Sequence, residues 1–365
     1  MPARLLTPRL LVRGFELFVL ASLAGFAVTF VYGNDLAASL RGLAGLEWGW
    51  LLAGVALASM DWFGGGLRLW ILARHIMPRP PLKGMFVAGG MGAWGSYVTP
   101  LQSGAAPMLM YTMRRYGVPL PVGVTCTFLS FVATVAFFAI AGWMAIAFGA
   151  GRSLGQKGNV LGLSLYDLFV GTLWIIGGIG VLMGLIFAFP RATSGLLHRI
   201  AEAISRRSRP VADRFERLRA GIDEARESLT AFNTPRGWLT LVWATILSGP
   251  SHANRLLAGY VTLRALGIHA NFVDVLLVQT LVMFLLYFAP TPGASGIAEV
   301  LSAAVMSVYV PRGLVPIYTL VWRCIQSWLT IAVGFLFFSA WVRRGLRSID
   351  AEPVPDDERR AEAVG

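Results

Sequence analysis

The sequence predicts an all-α fold: a polytopic membrane protein of two inverted repeats, each with three transmembrane helices and one broken, re-entrant helical hairpin. Three observations lead there. Of 365 residues, 56% are hydrophobic and only 14% charged, with a mean hydropathy of +0.65, whereas soluble domains carry about 25% charged residues. Two long apolar stretches are interrupted by the same Pro/Gly/Ser pattern half a chain apart. The basic residues gather on alternate connecting segments.

A helix needs about 20 apolar residues to cross a bilayer. Six runs reach that length: 14–33, 48–74, 119–148, 167–189, 237–263 and 314–342. Arg4, Arg9 and Arg13 precede the first. That run exceeds the ~7–15 residues of a secretory h-region, so it reads as an uncleaved helix. Two further apolar regions are broken in the middle, 84–113 by TPLQSGAAP and 273–310 by PTPGASGIAE. Pro and Gly at that density end a helix. The backbone groups they free must be buried in protein or line a wet cavity, so each region reads as a hairpin returning to its starting side.

The breaks align. Thr99-Pro100-Leu101-Gln102-Ser103-Gly104-Ala105-Ala106-Pro107 sits over Thr291-Pro292-Gly293-Ala294-Ser295-Gly296-Ile297-Ala298-Glu299, with Thr, Pro, Ser, Gly and Ala shared. Similarity at a fixed offset is the mark of an internal repeat. Three spanning helices per half is an odd number, so the second half enters the membrane upside down, as in many transporters. The expected units are 1–150, with hairpin 84–113, and 151–350, with hairpin 273–310 and a cytoplasmic amphipathic insert at 191–236. Within that insert Val211, Phe215, Leu218, Ile222, Ala225 and Leu229 form one helical stripe, suited to a connecting or surface helix. Residues 351–365 read as a disordered tail.

With the N-terminus in the cytoplasm, inside segments hold 23 Lys and Arg and outside segments 5, and three more lie within helices. This follows the positive-inside rule and puts both termini on the cytoplasmic side of a bacterial inner membrane. It also accounts for the net charge of +12 without nucleic acid. Cys126 and Cys324 sit in apolar runs, and the four histidines are scattered, so neither a disulfide framework, a metal site nor a cofactor is expected.

Six ionisable residues fall inside predicted membrane segments: Asp61, Arg68, His252, Arg255, Glu299 and Arg323. An Arg or Asp costs about 2.5–3.5 kcal/mol at a helix centre on insertion scales, so such residues face a cavity or pair with one another. Arg68, Arg255 and Arg323 are expected to hold a phosphate head group. The return-helix N-termini at Ser103-Gly104 and Ser295-Gly296 would add backbone N–H groups. Thr99, Ser103, Thr291 and Ser295 would cap those helices or touch the ligand, with Pro292 and Gly293 shaping the second break. Asp61 and Glu299 would balance charge or carry a coupling proton, and Arg323 is close enough along its helix to pair with Glu299. The bland alternatives are internal ion pairs and caps, with Arg68 snorkelling to an interface and His252 fitting either role. Gly64-Gly65-Gly66 reads as a close-packing site, since no strand precedes it to make a phosphate loop.

The motifs YVTPLQSGAAPMLMYTMRRYGVPLP and FAPTPGASGIAE, followed by YTLVWRCIQSWLTIAVGFLFF, resemble the lysylphosphatidylglycerol synthase transmembrane, or flippase-like, family over essentially the whole chain. Pro100, Gly104 and Pro107 match its first break. Pro290, Pro292, Gly293, Gly296 and Glu299 match its P-x-P-G-G-x-G-x-x-E motif, and Arg323 its following arginine. Ala294 stands where a second Gly is common, and Pro107 where some members carry Glu. The resemblance implies a stand-alone transport unit without a synthase domain, moving a phospholipid or polyprenyl-phosphate-linked lipid between leaflets. Its partners would be lipid and bilayer, with a homo-oligomer or a lipid-synthesis enzyme left open. Two other classes compete. An intramembrane lipid-modifying enzyme finds no nucleophile–base pair or carboxylate pair at usable spacing. A scaffold for a lipid-modifying system would depend on the 191–236 stripe.

Overall fold

The computed structural model describes residues 8–33, 35–147, 159–160, 163–189, 232–287 and 289–350, with isolated positions between 192 and 230. The expected insert 191–236 therefore lies almost wholly outside the described residues, and the tail 351–365 entirely so. The described chain is helical apart from a two-residue antiparallel pairing of Asn159–Val160 with Leu163–Ser164. In order, the helices are α1 (Pro8–Gly33), α2 (Leu36–Ala44), α3 (Trp48–Ala58), α4 (Met60–Ile76), α5 (Leu82–Tyr97), α6 (Ala105–Arg115) and α7 (Leu120–Ala147). The series continues with α8 (Leu165–Ala188), α9 (Pro235–Ser251), α10 (Ala253–Ala265), α11 (Phe272–Tyr287), α12 (Ile297–Met306), α13 (Val315–Arg323) and α14 (Leu329–Asp350). A π-helical turn, Cys324–Trp328, joins α13 to α14.

Among the described residues, four stretches are long and apolar enough to cross a membrane: Glu16–Gly33, Trp48–Ile76, Leu120–Met144 and Arg312–Trp341. Large apolar side chains such as Leu20, Val31, Leu52, Trp174, Val181 and Leu336 stand exposed on these and neighbouring helices, the reverse of a soluble surface. The chain is a multi-pass membrane protein. Two of the six expected spans differ from expectation. The apolar part of α8 among the described residues, Val170–Ile186, falls short of a full span. The 237–263 run is divided at His252, whose φ of −117° and ψ of 13° leave the helix. Pro250, inside the last turn of α9, has no N–H to donate and crowds the preceding turn. The 48–74 run, by contrast, keeps its span: Ser59, where α3 gives way to α4, has a helical φ of −67° and ψ of −17°.

Both broken regions fold as packed helix pairs, α5 with α6 and α11 with α12. Each break contains a short 3-10 turn, Pro100–Gln102 and Pro292–Ala294. The two turns share an uncommon backbone: Leu101 and Gln102 have φ of 51° and 54°, Gly293 and Ala294 of 55° and 57°. Glycine enters this left-handed region without penalty, while the other three residues cost roughly 1–2 kcal/mol each. At 1.5 Å per residue the arms are short. α6 and α12, with 11 and 10 residues, reach only about 15 Å, against ~30 Å of hydrocarbon.

Packing between the halves is reciprocal. α3 lies on α10 and α4 on α9, while the spacing from Pro100 to Pro292 carries α3 onto α9 and α4 onto α10. The glycines of α4 permit these approaches. A Cβ on Gly64 would come within 2.8 Å of the Ser251 nitrogen, and one on Gly66 would overlap the Phe86 backbone. Gly64-Gly65-Gly66 is thus a crossing point for α4, α5 and α9. The two turns meet tip to tip, with Tyr97 O 2.5 Å from where a Cβ on Gly293 would stand. Apolar cores lie to either side. One is built on α10–α13 (Leu263, Leu281, Met306, Tyr318, Trp322) and the other on α4, α5, α7 and α9 (Leu72, Met85, Leu129, Ala244).

Candidate functional site

Where α4, α5, α10, α12 and the π-turn converge, the apolar interior gives way to a polar seam. Asp61 opens it from α4. Its Oδ2 accepts from Thr330 Oγ1 at 2.8 Å, Asn254 Nδ2 at 3.0 Å and Tyr97 OH at 3.2 Å. Buried carboxylates require such donors, because stripping a charge of water costs far more than any single bond returns.

Arg255, in the first turn of α10, reaches the same hydroxyl from the other side. Its Nε donates to Tyr97 OH at 3.0 Å, and its terminal nitrogens donate to Tyr287 OH at 3.3 Å and Ser96 Oγ at 3.4 Å. The guanidinium lies over the Tyr97 ring, 4.9 Å from its centroid, a cation–π contact. Arg255 is 8% exposed. Among the described residues no carboxylate makes an ion pair with it. Its positive charge rests on neutral hydroxyls and aromatic faces, with Asp61 one hydroxyl removed.

Arg323 is held differently. Its Nε donates to Glu299 Oε1 at 2.9 Å, with both side chains essentially inaccessible. The other guanidinium nitrogens donate to Gln326 Oε1 at 3.0 Å and to the Gly293 carbonyl at 3.3 Å. The second Glu299 oxygen accepts the Gly296 N–H at 2.7 Å, which caps α12. One carboxylate thus fixes both the arginine and the mouth of the second hairpin. The π-turn that follows presents Gln326 beside Arg323 and frees the Gln326 carbonyl for Asn254 Nδ2, at 3.0 Å. Such bulges recur at functional sites.

Both arginines line one small cavity, with Tyr97, Gln102, Met283, Leu286, Gly293, Ala294 and Gln326. Its volume is about 20 Å³, room for a water or two. Three of the four left-handed tip residues, Gln102, Gly293 and Ala294, form part of its wall.

The other sequence-predicted residues are distributed around this centre. Arg68 donates to Thr134 Oγ1 at 2.7 Å and Ser248 Oγ at 3.0 Å and does not line the cavity. His252 Nδ1 lies 2.9 Å from Ser248 O, with its ring edge-on to Phe138, at the α9–α10 break. Thr99 Oγ1 accepts the Gly104 N–H at 2.7 Å and donates to Gly95 O. Ser103 is exposed and donates to Pro100 O. Thr291 donates to Ser295 O, Pro292 is buried in the second turn, and Ser295 Oγ is buried without a partner. The N–H groups of Gly104 and Gly296, expected to face a ligand, are taken by Thr99 and Glu299 in this structure. Sequence reasoning missed Tyr97, Asn254, Gln326 and Thr330. Tyr97 and Asn254 stand within two residues of singled-out positions, and Gln326 falls one turn after Arg323, so helical spacing alone could have added them.

The family described as Lysylphosphatidylglycerol synthase TM region matches the chain over residues 15–334. No curated protein and no solved structure matches.

Proposed function

The chain belongs to the lysylphosphatidylglycerol synthase TM-region family, and from that premise we propose that it is a flippase, carrying an anionic or phosphate-bearing lipid head group between leaflets, and not an enzyme. One observation carries the reading: Arg255 and Arg323 line the same buried cavity, and only Arg323 has a carboxylate on it. An unmatched buried cation is costly, and a phosphate oxygen is the natural group to relieve it.

The cavity as it stands is too small for a phosphate, so this is a closed state, and loading requires the two tips to part. The reading takes the halves as inverted repeats. The shared left-handed turns, the reciprocal α3–α10 and α4–α9 packing and the short hairpin arms all support that. Rocking one half on the other would open the seam alternately to each face, with the arginine bias supporting a cytoplasmic N-terminus. The strained tips favour such movement, because the turns hold free energy that an opened backbone releases.

The test is fluorescent phosphatidylglycerol in proteoliposomes, with leaflet accessibility followed by chemical quenching. Wild type should exchange the probe. Arg255→Gln should slow exchange roughly 10- to 100-fold, the worth of one or two charge-assisted hydrogen bonds. Exchange by Arg255→Gln and Arg323→Gln at the wild-type rate would sink the head-group site.

A further inference from the structure

The seam holds two buried carboxylates, and the fold uses them differently. Glu299 is committed: one oxygen accepts from Arg323 and the other from the Gly296 N–H. Asp61 is not. Its three hydrogen bonds, from Thr330, Asn254 and Tyr97, all fall on Oδ2. Among the described residues it has no ion pair, and none donates to Oδ1. Few charged or titratable groups face it. Tyr97 comes from α5 and Arg255 from α10, and Arg255 is bonded to Asp61 only through the Tyr97 hydroxyl. The π-turn and α14 bring the neutral Gln326 and Thr330. Of the other helices packed on α4, α3 has no ionisable residue, α7 only Cys126 in an apolar core, and α9 only Arg236 in its first turn. Arg68, further along α4, and His252, at the α9–α10 break, are bonded to Ser248.

An atom beside Asp61 is also out of balance. Asn254 is fully buried, and its Nδ2 donates both to Asp61 Oδ2 and to the Gln326 carbonyl. A backbone carbonyl can only accept, which fixes the amide this way round. Asn254 Oδ1 is then a buried acceptor without a partner. A carboxylate has no hydrogen to give it, whereas a carboxylic acid has one. An acid next to an amide can bond twice, its O–H to the amide oxygen and the amide N–H to its own carbonyl. The acid form of Asp61 therefore supplies the donor that Asn254 lacks, and it keeps the bonds that Oδ2 already accepts.

Resting on the lipid-carrier reading, we infer that Asp61 carries a proton in step with the anion on Arg255, which makes the protein a proton–anion symporter. With the cavity empty, Asp61 is a carboxylate and offsets Arg255 through Tyr97. An anionic phosphate on Arg255 supplies that negative charge directly, and two anions would then share one cation. Asp61 relieves the excess by taking one proton from water on the open side, its new O–H turning to Asn254 Oδ1. On the opposite side the phosphate leaves, the proton passes to water, and the carboxylate again offsets Arg255. A singly charged phosphodiester thus crosses with one proton and no net charge. Glu299 cannot serve in this way, because a proton on either oxygen would displace Arg323 or the cap of α12.

The test uses the full-length protein in proteoliposomes with fluorescent phosphatidylglycerol and a transmembrane pH difference of about one unit. Wild type should drive the probe toward the leaflet on the alkaline side, up to about tenfold over the other for one proton per head group, beyond any shift in protein-free vesicles. Asp61→Asn has no proton to carry and should leave the leaflets even, whatever its rate of exchange. Thr330→Val removes one donor from the carboxylate and so favours the acid form. It should raise the pH of half-maximal proton uptake on lipid addition by about one unit, read with a soluble pH dye on protein in detergent. A merely structural role for Thr330 would lower uptake without moving that midpoint. Exchange by wild type that leaves the leaflets even under the gradient would overturn the symport and leave the carrier reading standing. No exchange by wild type at all would overturn both. A wild-type asymmetry in Asp61→Asn, or an unmoved midpoint in Thr330→Val, would also overturn the symport.

Discussion

Glu299→Gln is the sharpest probe of the seam, because its two expected effects have opposite signs. Both carboxylate oxygens are in use, Oε1 accepting from Arg323 Nε at 2.9 Å and Oε2 from Gly296 N at 2.7 Å. Glutamine keeps the shape but has one acceptor oxygen, so its amide N–H₂ must face one of two donors. Whichever orientation wins, a buried donor is stranded and the Arg323 charge loses its counter-charge. Breaking a buried pair by removing one partner costs ~3–5 kcal/mol. Gln326 and the Gly293 carbonyl still hold Arg323, so the lower end, about 3 kcal/mol, is expected. That is a fall of roughly 4 °C in apparent Tm for a chain of this size, read by thermal unfolding in detergent. Retention of an anionic lipid should rise in the same variant, since two unmatched guanidinium groups would then face the cavity. Glu299→Gln with Arg323→Met should recover most of the lost stability and abolish the gain in lipid. If the double variant is less stable than either single one, with the losses simply adding, the charge-compensation argument is wrong.

Further predictions follow from neighbouring contacts. Tyr97→Phe removes the hydroxyl shared by Asp61 and Arg255, and should lower stability by about 1–3 kcal/mol and also weaken anionic-lipid retention. Both are measurable on one purified sample. Gly66→Ala drives a methyl into the Phe86 backbone and should cost about 1–3 kcal/mol. Gly65→Ala, whose nearest neighbour is Gly89 Cα at 3.5 Å, should be neutral or stabilising by up to about 1 kcal/mol. Melting curves of the pair test whether α4 is a crossing point. The two tips should respond in opposite ways. Leu101→Gly relieves a left-handed residue that is largely exposed and should raise the melting temperature by a few degrees. Gly293→Leu, with a Cβ 2.5 Å from Tyr97 O, should abolish folding or retention of lipid.

Much of the helix order was legible from apolar runs, because lipid imposes a length rule that water does not. The breaks were legible too, since Pro and Gly at that density leave a helix few options. The Arg323–Glu299 pair followed from the cost of burying either group alone. The tip backbones were hidden because Leu101, Gln102 and Ala294 carry no propensity for positive φ, and only the packed environment holds them there. Arg68 was drawn toward the site by residue type, yet Thr134 and Ser248 hold it elsewhere, and which hydroxyls face a helix is decided by packing. Tyr97 escaped notice because aromatic residues are ordinary in membrane helices, and its role comes from standing where two opposite charges each need a partner. The division of 237–263 at His252 could have been read from Pro250, whose effect was masked by an otherwise continuous apolar stretch.

The π-turn at Cys324–Trp328 has a consequence for insertions and deletions. A wide turn accommodates one more residue than α-helical pitch allows. Removing a single residue there would therefore restore regular winding and leave the phase of the helix beyond it nearly unchanged. A deletion just after it, at Leu329 in regular helix, would instead rotate everything downstream by about 100° and draw it back by about 1.5 Å. Thr330 would then swing off Asp61. What a deletion inside the turn removes is local, the Gln326 carbonyl that the wide turn leaves free for Asn254. A one-residue deletion within the turn should therefore be less disruptive than one immediately beyond it.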